Sequence, residues 1–303
     1  MSGTDDASEP IRQRLDPDTA AYLERLKAMP VAPLHLCTPE EARERHERTA
    51  ASIQAPVEPV ERVADSVIGG IPVRVYRPRD AKGVSVFVHG GGWVTGSLDS
   101  YDRLARALAN RSATQFISVD YALAPEAKHP VQLDQAFAVL RSVIGDAGSP
   151  VVLAGDSAGG YLAALAALRA RDEGLRLGGL ALINPVIDPA LDTPSSRLHA
   201  EGYRLETEAM RWYWRHFLEA GENAPRLLGR DLSGLPDTLV VTAGFDPLHD
   251  EGAEFARRLG VDRVPIEYHD YPGQVHGFLR LSHAIREGRD AQDVVGRFIR
   301  RHA

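Results

Sequence analysis

Short apolar runs alternate along this chain with longer segments whose apolar residues recur every three or four positions. Residues 61–68 and 71–77 read as strands joined by Gly69-Gly70, a hairpin signal. Further short apolar runs follow at 84–88, 116–119, 151–154, 179–183, 239–243 and 265–268. Helical patterns lie between most of them, at 98–108, 133–143, 158–171 and 249–259. This alternation predicts an α/β fold: a mostly parallel eight-stranded sheet with helices on both faces, antiparallel at its first edge.

Two regions stand outside the alternation. At the N-terminus, residues 1–16 read as loosely attached, and 19–29 as a helix with Ala20, Tyr22, Leu23 and Leu26 on one side. Thr38, Pro39 and Glu41 form a capping-box signature, opening a second helix that runs to about Ile53. Its apolar stripe is thin and it is rich in Glu and Arg, so it is expected to cover another element rather than form a core. Residues 191–228 lack a strand but hold a helical pattern at 206–218. Met210, Trp214 and Phe217 fall on one face of it, with Trp212 and Tyr213 on another. The expected organisation is an N-terminal helical cap segment (1–55), a catalytic domain (56–190 and 229–303) and a cap insertion (191–228).

Composition narrows the function classes. The 303 residues are 44% hydrophobic and 25% charged, an ordinary globular profile. The net charge of −7 disfavours nucleic acid as a partner, because phosphate contacts need clustered cations. Arg297, Arg300 and Arg301 read as the solvated face of an amphipathic last helix. Cys37 is the only cysteine, so neither an internal disulfide nor a cysteine metal cluster is expected. The first residues lack a signal-peptide pattern and the apolar runs stop short of a membrane span. The expectation is a cytoplasmic protein with no membrane partner.

The chemistry concentrates in Gly155-Asp156-Ser157-Ala158-Gly159-Gly160, placed between a strand and a helix. This is a G-x-S-x-G elbow, in which a strained turn lifts the serine hydroxyl away from the backbone. Gly155 and Gly159 leave room beside the serine, and Gly160 is expected to let the helix press on the sheet. A serine needs a base. Among His249, His269, His276, His283 and His302, His276 stands in a Pro- and Gly-containing loop after the last strand. His269 is still in that strand, His302 is in the tail, and His249 and His283 read as helical surface residues. For the acid, Asp246 directly follows the run 239–245, with Asp188 and Asp250 as alternatives. Upstream, Val88-His89-Gly90-Gly91-Gly92-Trp93 puts three glycines after a buried strand. The loop lacks the Lys and Ser/Thr of a P-loop and the spacing of a dinucleotide turn, while the His-Gly-Gly-Gly form is tied to lipases and esterases.

Together these segments resemble the hormone-sensitive-lipase family of α/β-hydrolases, the bacterial group with GDSAGG at the nucleophile. The resemblance covers roughly residues 60–300. It rests on His89-Gly-Gly-Gly-Trp93, Asp120-Tyr-Ala-Leu-Ala-Pro-Glu126, Gly155-Asp-Ser-Ala-Gly-Gly160, Asp246-Pro-Leu-His-Asp-Glu-Gly252 and His276-Gly-Phe278. It implies a Ser157–Asp246–His276 triad, with the N–H groups of Gly91, Gly92 and Ala158 as the oxyanion hole. His89 and the 120–126 segment would support the site. It also implies a helical cap, no metal or organic cofactor, and a carboxylesterase acting on short-chain acyl esters. Acetyl or acyl hydrolysis, amide hydrolysis or acyl transfer on a specific natural product are alternatives on the same triad. By fold analogy the last strand and helix would form a homodimer surface. His249 replaces the family's usual Arg, Ala127-Lys-His-Pro130 replaces a more apolar stretch, and residues 220–230 form a short loop without the usual Ser-Pro.

Overall fold

The computed structural model describes residues 14–28, 31–52 and 56–303. In chain order the elements are α1 (Pro17–Lys27), α2 (Pro39–Ala51), β1 (Arg62–Ile68), β2 (Ile71–Arg77), β3 (Val84–Val88), α3 (Asp102–Ser112), β4 (Gln115–Val119), α4 (Val131–Asp146), β5 (Val151–Asp156) and α5 (Ala158–Asp172). There follow β6 (Gly179–Ile183), α6 (Pro194–Leu198), α7 (Thr207–Phe217), β7 (Thr238–Phe245), α8 (His249–Val261), β8 (Ile266–Val275) and α9 (Arg286–His302).

The eight strands form one sheet in the order β1-β2-β4-β3-β5-β6-β7-β8. β2 runs antiparallel to both β1 and β4, and every pairing from β4 to β8 is parallel. The central strands are apolar on both faces because both are covered. Val86, Val88, Leu153, Leu180, Leu182 and Val240 point to the side of α4, α5 and α8. Phe87, Val152, Ala154, Ala181, Ile183, Leu239 and Val241 alternate with them and meet α3 and α9. Arg297, Arg300 and Arg301 lie on the exposed side of α9. No helix among the described residues is long and apolar enough to cross a membrane.

Several boundaries differ from the sequence expectations. The third helix starts at Asp102, not near residue 98, because Ser97 and Ser100 close a turn in which each hydroxyl accepts the other's amide. β8 continues to Val275, past Pro272 and Gly273; a register shift between Ala243 and Phe245 lets it follow β7 that far. Pro is tolerated there because β8 is an edge strand. Residues 1–13, read as loose, lie outside the described residues, as do Met29 and Ile53. Residues 14–16 are not loose: the Asp16 amide donates to Gly273 O and its carboxylate caps α1. Asp16 rather than Thr19 therefore sets the start of that helix. Thr38 and Glu41 do form a capping box. His283 lies in a turn rather than a helix.

Of the segments outside the alternation, α2 and α7 pack on the loop that follows the C-terminal end of β3. Trp214 and Phe217 of α7 lie against Trp93, with ring centroids 4.4 and 4.1 Å apart. Full burial of a side chain the size of Phe217 is worth roughly 1.5–3 kcal/mol, so α7 is held on the glycine loop by packing. Met210, Trp212, Tyr213, Trp214 and Phe217 are all buried. The two-faced pattern read from the sequence has partners on both faces.

Candidate active site

β5 delivers its chain end into a turn that only tight packing can hold. Ser157 has φ 56° and ψ −119°, a conformation that costs a non-glycine residue about 1–3 kcal/mol. Its amide donates to Ile183 O at 2.8 Å. Its carbonyl accepts from Gly160 N and Val186 N at 2.9 and 3.1 Å. The strain is thus fixed by β6 and the first turn of α5. A Cβ on Gly159 would stand 2.0 Å from Val88 O and 2.4 Å from His89 O, so α5 presses directly on the end of β3. Gly160 instead faces Pro185, at the end of β6. Gly159→Ala is expected to destabilise the fold by about 3 kcal/mol or more, because backbone cannot yield as a rotamer does. Urea unfolding with a midpoint near that of the unaltered protein would contradict this.

His276 follows β8 and Asp246 follows β7, two adjacent parallel strands, so both arrive beside the serine. His276 Nε2 lies 2.9 Å from Ser157 Oγ, and His276 Nδ1 lies 2.6 Å from Asp246 Oδ2. Asp246 Oδ1 accepts the Leu248 amide at 2.9 Å. Because a carboxylate only accepts, His276 carries its proton on Nδ1 and offers the Nε2 lone pair to the hydroxyl. Asp246 is 1% exposed, and Ser157 and His276 are each 7% exposed.

The other candidates are used elsewhere. Asp188 Oδ2 accepts from Arg226 Nε and Nη2 at 2.9 and 2.8 Å. Asp250 Oδ2 accepts the Ser195 amide at 2.8 Å. His269 pairs with Glu267, and His302 approaches Asp237. His249 does begin helix α8, but its ring is only partly exposed and lies between Asp250 (2.9 Å) and Asp270 (3.2 Å).

That pairing gives a pH prediction. The hydrogen bond to Asp270 and then that to Asp250 outweigh desolvation and push His249 up to about 9 from 6.5. Thr242 and Tyr268 stand behind Asp270, and the nearby imidazole is that of His199, which burial and then the His249 charge hold below the usual histidine range. A raised folded-state pKa contributes stability fully below the unfolded value near 6.5, and loses it as pH rises towards 9. The Tm advantage of the unaltered protein over His249→Gln is therefore expected to be largest near pH 6 and to shrink by pH 9–10. A difference constant over that range would contradict it.

The glycine loop lies against the elbow. A Cβ on Gly90 would sit 3.1 Å from Ser157 Cβ, and Trp93 Nε1 donates to Ala158 O at 3.1 Å. Gly92 has φ +60° and its missing side chain is replaced by the Tyr213 ring, 2.1 Å from where a Cβ would be. Among the described residues none accepts a hydrogen bond from the Gly91, Gly92 or Ala158 amide. His89 and the 120–126 segment sit underneath. Tyr121 donates to His89 O at 2.9 Å and stacks on the His89 ring at 4.3 Å, and burial pushes that imidazole down to about 4.

Two contacts and one helix face had no signal in the sequence. Arg204, with φ 74°, donates to His276 O at 2.6 Å. Tyr101 donates to Asp156 Oδ2 at 2.8 Å, while burial raises the Asp156 carboxyl. The polar face of α2 holds the segment after Gly92, as described below. No cluster of three or more metal-ligating side chains exists among the described residues.

The chain is similar to known proteins in sequence and in fold. A family model described as the alpha/beta hydrolase fold matches residues 85–280. An ethyl acetate hydrolase of Pseudomonas putida is 32% identical over 95% of this chain and 99% of its own. The carboxylesterase NlhH of Mycobacterium tuberculosis is 36% identical over 73% of this chain and 75% of its own. Among solved structures, a thermostable esterase from Pseudomonas putida superposes with a TM-score of 0.90 at 30% identity, covering 99% of both chains. An ester hydrolase from the Lake Arreo metagenome, in complex with a bipyridine phosphonate derivative, gives 0.89 at 32% identity, covering 95% of this chain and 99% of its own. The chain belongs to the α/β-hydrolase fold family, in its hormone-sensitive-lipase-like group of carboxylic ester hydrolases.

Proposed function

We propose that the enzyme hydrolyses short-chain acyl esters through an acyl-enzyme on Ser157. The observation that carries this reading is the unbroken Asp246–His276–Ser157 hydrogen-bond chain, at 2.6 and 2.9 Å, on a strained elbow. His276 Nε2 takes the hydroxyl proton as Oγ attacks the ester carbonyl, and Asp246 stabilises the resulting imidazolium. The Gly91, Gly92 and Ala158 amides receive the oxyanion, helped by the positive end of α5. His276 returns the proton to the departing alcohol oxygen as the C–O bond breaks. A water then attacks the acyl-enzyme by the same route and frees the carboxylic acid. Neither metal nor organic cofactor is assigned a role.

Residues 1–55 and 191–228 are proposed as a cap over this site, and the low exposure of Ser157 and His276 supports a preference for small acyl groups. A cytoplasmic enzyme is compatible with the single cysteine. The test is twofold. A fluorophosphonate probe is expected to label Ser157. In the p-nitrophenyl series, kcat/KM is expected to fall from acetate and butyrate to decanoate. Labelling elsewhere would sink the serine assignment, and a rise with chain length would sink the substrate class.

A further inference from the structure

The second helix docks on the oxyanion loop through polar side chains. Arg43, His46 and Glu47, spaced i, i+3 and i+4, share one face of α2. Each reaches a different position of the segment just after the three glycines. Arg43 Nε donates to Val94 O at 2.9 Å, and Ser97 Oγ donates to Glu47 Oε1 at 2.9 Å. Between them, His46 Nδ1 lies 3.2 Å from Thr95 Oγ1 and His46 Nε2 lies 3.1 Å from Arg280 Nη2. Thr95 Oγ1 in turn donates to Gly91 O at 2.9 Å.

The direction of this chain is fixed by its end. A guanidinium has no acceptor, so His46 Nε2 must accept from Arg280. Neutral His46 then bears its proton on Nδ1 and donates it to Thr95, whose own proton is free to go to Gly91 O. Desolvation, followed by the nearby Arg280 and Arg204 charges, keeps the His46 imidazole well below the usual histidine range, so the neutral form persists. Arg280 is itself held, 4.1 Å over the Tyr101 ring and 3.2 Å from Ser100 O. It lies four residues after His276. The relay therefore ties the histidine loop, the N-terminal segment and the oxyanion loop together.

What Gly91 O does matters because the peptide unit is rigid and trans. The Gly91 carbonyl and the Gly92 N–H belong to one plane and point opposite ways. The oxygen accepts the Val94 amide (3.2 Å), the Thr95 amide (2.9 Å) and the Thr95 hydroxyl (2.9 Å); of these the hydroxyl is the side-chain donor, and together they aim the Gly92 N–H in the other direction. That N–H is one of the donors assigned above to the oxyanion.

We propose that His46 is a positioning residue for ester hydrolysis, aiming the Gly92 amide through Thr95 and the Gly91 carbonyl. The proposal rests on the triad and oxyanion assignment above. A displaced donor weakens the transition state and leaves ground-state binding nearly untouched. His46→Ala is expected to lower kcat on p-nitrophenyl acetate about tenfold at little-changed KM. It is also expected to weaken, by a similar factor, an alkylboronic acid that forms a tetrahedral adduct on Ser157, since removal of a whole donor costs about 10²–10³ and misaiming costs less. His46→Gln, whose amide can accept from Arg280 and donate to Thr95, is expected to recover most of the loss. Thr95→Val is expected to reproduce it, and the His46→Ala/Thr95→Val pair to be no worse than either alone, because both break one relay. A merely structural contact would lower Tm with kcat and boronate affinity unchanged, and that result overturns the proposal. Additive losses in the double variant also overturn it. A wild-type protein inert towards both ester and boronate overturns the triad reading along with it, whereas an active wild type beside an equally active His46→Ala overturns the positioning role alone.

Discussion

Ser157→Ala is expected to lower kcat on p-nitrophenyl acetate by about 10⁶, with the fold retained. The magnitude follows from removing the nucleophile of a unit whose members act together. The change deletes one oxygen whose hydrogen-bond partner is His276 Nε2. Backbone bonds from Ser157 N to Ile183 O, and from Gly160 and Val186 to Ser157 O, hold the elbow and do not involve that oxygen. Alanine inherits the same positive φ, so the stability change is expected to be small, and a Tm within a few degrees of wild type checks it. Adding His276→Ala to the variant is expected to cost almost nothing more. The proposed oxyanion donors and the binding surface remain, so a residual acceleration of about 10³–10⁴ over water is expected. Wild-type turnover by purified Ser157→Ala protein would refute the assignment.

Asp246→Asn is expected to lower kcat by about 10⁴ through a tautomer change. Asp246 faces two different groups: Oδ1 accepts the Leu248 amide and Oδ2 faces His276 Nδ1. An asparagine must turn its oxygen to the Leu248 N–H, which is a donor and cannot be inverted. Its NH₂ group then points at His276 Nδ1, which has to become the acceptor. The imidazole proton moves to Nε2, and a protonated Nε2 cannot take the serine proton. The effect is therefore on kcat with little change in KM or in Tm, and it differs from simple loss of charge. Because Asp246 is 1% exposed, solvent has little access to restore the geometry. A variant within tenfold of wild type would show that the tautomer is held by something other than Asp246.

Both arguments use residues that could be named from the sequence, and the reason is local. A sharp strand-to-helix turn demands missing side chains at fixed offsets, so Gly155 and Gly159 announce Ser157. A loop that brings backbone amides close to a substrate demands glycines, so Gly90-Gly91-Gly92 announces itself after β3. The order of strands and helices gave the sheet, because buried parallel strands read as apolar runs. The acid is less local: Asp246, Asp188 and Asp250 all follow or flank buried strands, so only the family's motif order points to Asp246 in the sequence, and in the structure it is the one of the three that bonds His276, while Asp188 takes Arg226 and Asp250 takes the Ser195 amide.

Other features depended on contacts between distant parts of the chain. β8 reaches Val275 because β7 offers it a bulged partner, which no local pattern in Tyr271-Pro-Gly-Gln-Val275 indicates. His249 reads locally as a helical surface residue, and only the sheet brings Asp270, twenty-one positions later in sequence, to its ring. Arg204 stands in a bent loop without periodicity, and its guanidinium reaches His276 O across 72 positions of chain.

The sequence by itself determined the sheet class, the elbow serine, the glycine loop and the histidine after the last strand, since each is dictated by backbone constraints within a few residues. Tertiary structure alone decided which side chains hold that machinery in place. His46 meets Thr95 and Arg280 across 49 and 234 positions of chain, and the Tyr213 ring fills the space Gly92 leaves open. Such pairings are made by packing, and packing has no period along a sequence.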